Sequence, residues 1–151
     1  MLLKDKHKIR VGFSIGDLNG IGPEVLLKSL AKKELQETIV PILYAPYSTI
    51  SFLKSHFDLK IDLNKIENVE GAVDNTINVL DVFNDEPKIN FGNLDKDIGK
   101  IAFLSIQSSV SDLHLDKIDV LVTPPINKEA IHSNEFRFMG CLLYTSDAAD
   151  E

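Results

Sequence analysis

Two clusters in the chain hold the residue types from which a binding site could be built. The first is Gly16-Asp17-Leu18-Asn19-Gly20-Ile21-Gly22-Pro23-Glu24. Its glycines permit backbone angles closed to other residues and would let a ligand approach the main chain closely. Asp17 and Asn19 add a carboxylate and an amide at the apex. Pro23 suits the first helical position, where its missing N–H is no loss. A helix start carries unpaired N–H groups and partial positive charge, which favours a phosphate or carboxylate. The second cluster is Thr123-Pro124-Pro125-Ile126-Asn127-Lys128-Glu129. Lys128 can give a positive charge to an anionic substrate and Asn127 a pair of hydrogen-bond groups. Taken alone, a lysine is more often a solvated surface residue, and Asp17 fits equally well as a cap on its own turn.

Familiar signatures fit these clusters poorly. A P-loop needs Gly, four residues and then Gly-Lys-Ser/Thr; counting from Gly16 reaches Ile21, and no lysine follows. The dinucleotide fingerprint accommodates Gly20 and Gly22 but meets Val25 at its third glycine. The next strand, 39–44, ends without an acidic residue to hold a ribose. His7, His56, His114 and His132 are scattered, with no spacing of the HExxH kind, so no metal site is complete. There is no Gly-x-Ser-x-Gly elbow, and the lone Cys141 rules out an internal disulfide.

The elements that would position the two clusters follow from periodicity. Ile9, Val11, Phe13 and Ile15 alternate with Lys8, Arg10, Gly12 and Ser14 at strand spacing, and Val25, Leu26, Leu27 and Leu30 follow at helix spacing. Residues 39–44 predict a short buried strand, broken at Pro46, and Ser48 a cap for a helix carrying Ile50, Leu53 and Phe57. Between 58 and 95 the signal is poorer, with a strand suggested by Ile77, Val79 and Val82 and loops after it. Residues 97–113 read as the clearest helix, with a stripe of Phe103, Ile106, Val110 and Leu113 beside a slim flank of Ala102, Ser105 and Ser109. Residues 118–122 make a last strand, running into the second cluster. The alternation of strands and helices predicts an α/β fold with a mostly parallel sheet and flanking helices. In such sheets ligands gather at the carboxyl ends of the strands, so the two clusters would share one edge.

Composition bounds the class. The 151 residues are 44% hydrophobic and 26% charged, as in ordinary globular domains. A net charge of −7 argues against general nucleic-acid binding. No apolar run approaches a membrane span, and residues 1–10 lack the apolar core of a signal peptide, so a cytoplasmic protein without membrane or nucleic-acid partners is expected. Residues 141–151, Cys-Leu-Leu-Tyr-Thr-Ser-Asp-Ala-Ala-Asp-Glu, look like a translated sequencing adapter. They are set apart as a non-native tail to a 1–140 portion, against the alternative of an ordinary loop and helix start capped by Ser146.

Gly16-Asp17-x-x-Gly20-Ile21-Gly22-Pro23-Glu24 together with Thr123-x-Pro125-Ile126-Asn127-Lys128-Glu129 resembles the 4-hydroxythreonine-4-phosphate dehydrogenase family of vitamin B6 biosynthesis. Gly99 with its helix, and Asp119 to Thr123, match that family in order and separation, and the resemblance runs over residues 8–140. It implies an isocitrate/isopropylmalate-dehydrogenase-like fold, truncated here. It also implies NAD-dependent oxidation of 4-phosphooxy-L-threonine at its C3 alcohol, followed by loss of carbon dioxide. A divalent metal (Zn, Mg or Co) would lower the alcohol's pKa and stabilise the enolate. In the family three histidines hold that metal across a homodimer interface, all beyond Gly140, so this chain is expected to be inactive by itself. The family pattern Phe-x-x-Gly-His-Thr breaks here after Gly140, where Cys141 and Leu142 stand. The resemblance implies that Asn127 and Lys128 contact substrate or hold the catalytic loop. Asp17, Asn19, Gly20, Gly22 and Thr123 would line the substrate or cofactor cleft. Two further expectations stay open: a sister enzyme acting on phosphorylated threonate or erythronate, and a non-catalytic anion-binding α/β module.

Overall fold

The structure is a computed structural model and describes residues 7–81, 83 and 86–132. The 141–151 tail, the break after Gly140 and the strand residue Val82 lie outside the described residues. β1 (Ile9–Ser14) sits inside the sheet. It pairs in parallel with β2 (Ile39–Tyr44) on one side and β5 (Val120–Val122) on the other, Phe13 lying level with both Leu43 and Val122. β4 (Ile77–Leu80) pairs with β2, and β3 (Leu63–Ile66) with β4, giving the parallel order β3-β4-β2-β1-β5. Parallel neighbours need crossovers. α1 (Gly22–Leu30) and α2 (Lys33–Thr38) return the chain to β2, and α3 (Tyr47–His56) leads towards β3. α4 (Lys96–His114) carries it across to β5, after which α5 (Lys128–Ile131) begins. The chain is therefore α/β with a parallel sheet, as its strand–helix rhythm predicts.

Helices on a parallel sheet cover both faces, and this changes what the alternation in β1 means. Gly12 and Ser14 are as deeply buried as Val11 and Phe13. One apolar cluster gathers Val11, Phe13 and Ile15 with Leu27, Leu30, Ile50 and Leu53; a second gathers Ile42, Tyr44, Ile66, Leu80 and Ile118. Burial outweighs local signals in placing the helices. α1 has no side-chain cap but buries Leu26, Leu27 and Leu30, each stabilising by roughly 1.5–3 kcal/mol. A cap contributes about 1 kcal/mol. α3 likewise begins without a side-chain cap, at Tyr47 after Pro46, so Ser48 lies within its first turn rather than capping it.

α4 extends one residue beyond 97–113 at each end; Asp95 caps its start, accepting from Asp97 N and Ile98 N. Its buried face is Ile98, Gly99, Ile101, Ala102, Ser105, Ile106 and Ser109. Of the expected stripe, Phe103, Val110 and Leu113 are only half-buried. The slim flank is the seam itself, since small side chains let the helix lie close to the strands. α2 buries no residue and β3 carries the exposed Lys65, so neither shows the periodicity that would announce it. No described helix is long and apolar enough to cross a membrane.

Candidate active-site cleft

β1 and β5 are parallel neighbours, so the loops that follow them leave the same rim of the sheet. After β1 the chain adds strands on one side only; α4 then crosses to place β5 on the other. The β1/β5 boundary is thus where strand order reverses, the place where open α/β sheets form a crevice.

The two loops touch there. Asp17 N donates to Pro125 O at 3.2 Å. Gly16 has φ +71°, and a Cβ on it would stand 2.7 Å from Pro125 O and 2.9 Å from Pro124 Cγ. At Gly22 a Cβ would lie 3.3 Å from Pro124 Cβ. The close approach expected of a ligand at these glycines is made at Gly16 and Gly22 by the proline loop of the same chain. At Gly20 the nearest neighbour is the Asp17 carboxylate, 3.1 Å from the Cβ position.

Beside this contact lies a cleft of about 450 Å³, lined by residues 17 and 20–22 on one side and 125–129 on the other. Among the sequence-predicted residues, Asp17, Gly20, Gly22, Asn127 and Lys128 line it. Asp17 closes its own turn: Oδ1 accepts from Asn19 N at 3.0 Å and its carbonyl from Gly20 N at 3.0 Å. Asn127 is the N-cap of α5, its Oδ1 accepting from Glu129 N at 3.1 Å and Ala130 N at 3.2 Å. Lys128 is exposed at the first position of α5. The cleft therefore carries the exposed Lys128 charge together with the Asp17 and Glu129 carboxylates, beside the start of α1.

Two predicted residues stand elsewhere. Asn19 is 3% exposed and holds the loop before α4: Nδ2 donates to Asn93 O at 3.1 Å and Oδ1 accepts from Asn90 N at 2.8 Å. Its backbone carbonyl accepts from Gly92 N at 2.8 Å, and it does not line the cleft. Thr123 follows β5, half-buried and away from the cleft lining. A residue that the periodicity treats only as small supports the site from behind. Ser105 Oγ accepts from Ile15 N at 2.9 Å and donates to Tyr44 O at 2.6 Å, tying α4 to the ends of β1 and β2 where the loops begin. A buried serine on a helix seam signals its presence but not its partners.

Cofactor fit is limited by the donors present. Among the described residues no group of three His, Cys, Asp or Glu could hold a metal. The spaces at Gly16 and Gly22 are filled by prolines, and β2 ends in Tyr44, whose hydroxyl donates to Asp112 at 2.8 Å. Neither a metal site nor a glycine-fingerprint dinucleotide cradle is formed by these residues, and no chemical step is derived through either group.

A parallel α/β sheet with a cleft at its strand-order reversal is the architecture of a ligand-binding α/β protein. The chain belongs to the pyridoxal phosphate biosynthetic protein PdxA family, whose model matches residues 37–151. It is 32% identical over 143 residues to a 4-hydroxythreonine-4-phosphate dehydrogenase of Bacteroides thetaiotaomicron, covering 95% of this chain and 39% of that protein. To a putative D-threonate 4-phosphate dehydrogenase of Clostridium botulinum it is 31% identical over 147 residues, covering 95% and 44%. The crystal structure of a 4-hydroxythreonine-4-phosphate dehydrogenase from Burkholderia phymatum matches with a TM-score of 0.82 and 26% identity, over 91% of this chain and 42% of that one. The chain thus spans about two fifths of the length of these relatives.

Proposed function

We propose that this chain is part of a dehydrogenase that oxidises the secondary alcohol of a small phosphorylated four-carbon acid, 4-phosphooxy-L-threonine, in pyridoxal phosphate biosynthesis. Such an oxidation would need a hydride acceptor and a Lewis acid, which NAD and a divalent metal would supply when bound; the described residues form no site for the metal. The described residues bind and orient. Lys128 supplies charge to an anionic group of the substrate, and the Asn127 cap fixes the turn that carries it. Asp17 keeps the opposing loop in shape through its own turn. The supporting observation is the Asp17 N–H to Pro125 carbonyl bond, which holds the glycine turn and the Lys128 turn on either side of one cleft.

The test takes the full-length protein containing this chain and follows NADH formation with 4-phosphooxy-L-threonine and with D-threonate 4-phosphate. Relatives bearing the second name make that substrate the competing reading, and preferential turnover of it would replace the first. Loss of a charge-assisted bond is worth about 1.5–3 kcal/mol, or roughly tenfold to a hundredfold in rate. Lys128→Ala should therefore lower kcat/KM by that factor. Because Lys128 is exposed, its stability should stay within about 0.5 kcal/mol. Unchanged kcat/KM removes Lys128 from the site, and phosphate binding without turnover of either substrate would favour a non-catalytic anion-binding module.

A further inference from the structure

Gly99 lies in the first turn of α4, at a position where alanine would be the better helix former by about 0.5–1 kcal/mol. A Cβ there would fall on the carbonyl group of Ala130 and 2.9 Å from Ile131 N. The obstructing atoms are backbone, so no rotamer change relieves them; α5 itself would have to move. α5 is four residues long and seated by the buried Ala130 and Ile131. Ile131 N bonds back to Asn127 O at 3.2 Å and His132 N to Lys128 O at 3.0 Å, so the turn shifts as a unit with Lys128 in it. That turn lines the cleft opposite residues 20–22.

We infer that Gly99 is a positioning residue: its missing side chain lets α5 rest directly on α4, and this seat sets where Lys128 stands across the cleft from the glycine turn. The inference rests on the anion-binding role given to Lys128 above. It accounts for a locally unfavourable glycine in an otherwise well-capped helix, and it makes the start of α4 part of the site without touching any ligand.

The experiment titrates inorganic phosphate into the full-length protein containing this chain, followed by NMR, for wild type, Gly99→Ala, Lys128→Ala and the double variant. Amide shifts of Asp17 are read beforehand without phosphate. Gly99→Ala should move the Asp17 amide, which meets Pro125 across the loops, and weaken phosphate by about tenfold. In the Lys128→Ala background it should weaken phosphate no further, because the two changes remove one interaction. Ile131→Ala, which loosens the same seat by removing atoms, is run beside it and takes its place in the cycle if Gly99→Ala does not fold. An equal weakening in both backgrounds, or an unmoved Asp17 amide with wild-type affinity, overturns the inference. If Lys128→Ala binds phosphate as wild type does, the anion-binding role fails. The Asp17 shift then decides separately whether the seat positions the loops.

Discussion

Among the described residues three serines, Ser14, Ser105 and Ser109, are fully buried, and their partners differ so sharply that one substitution should have three outcomes. Ser105 makes two bonds between elements, accepting from Ile15 N and donating to Tyr44 O. Ser109 donates only to Ile106 O of its own helix at 2.9 Å, and Ser14 Oγ has no partner among the described residues. Alanine is nearly isosteric, so cavity terms are small and the polar terms decide. At Ser105 the orphaned Ile15 N–H costs about 1–3 kcal/mol and the lost second bond about 1 kcal/mol. Ser105→Ala should therefore destabilise by about 2–4 kcal/mol. Ser109→Ala gives up a bond that competes with the helix ladder and gains helix propensity, leaving a change within about 0.5 kcal/mol of zero. Ser14→Ala removes a buried hydroxyl without a partner and should stabilise by about 1 kcal/mol. Urea denaturation of the three variants, with unchanged m-values, reads these as shifts of midpoint. If Ser14→Ala costs as much as Ser105→Ala, or all three fall within about 0.5 kcal/mol of one another, hydrogen-bond partnership is not what distinguishes these positions.

Asn19→Ala deletes the bonds to Asn93 O and Asn90 N and should cost about 1–3 kcal/mol. Hydrogen exchange at the Asn90 and Gly92 amides should accelerate ahead of the sheet, and unchanged protection would mean the loop is held by something else. Tyr44→Phe removes the bond to Asp112 and should destabilise by about 1–2 kcal/mol near neutral pH. Burial, then the Asp112 bond, then the Asp112 charge push the Tyr44 phenol far above its ordinary value. A phenol whose pKa rises on folding contributes fully below its unfolded value of about 10, and that contribution is lost as pH climbs above it. The stability gap between wild type and Tyr44→Phe should accordingly hold steady up to about pH 10 and narrow progressively above it; a constant gap would refute the assignment.

What could be read from the amino acids, and what could not, divides along a physical line. Strand–helix rhythm at 9–30 and 39–56 depends on local periodicity and punctuation, and it led to the parallel sheet and to two loops on one rim. Partner choice depends on contacts between distant segments, which no local pattern encodes. The slim flank of α4 showed that something approaches closely, but not that the Ala102–Ser105–Ser109 seam, rather than Phe103 and Val110, would face the core. Glycine has the same ambiguity. Gly16 and Gly22 announce space beside the backbone, and that space fits a phosphate or a proline ring equally well until the fold places Pro124 against it. Asn19 was legible as a polar residue at the apex of the first loop, yet its amide is spent on residues 90 and 93. The candidate site is therefore narrower than its motif. Asp17, Gly20, Gly22, Asn127 and Lys128 line the cleft, while Gly16 and Asn19 hold the two loops together and in place.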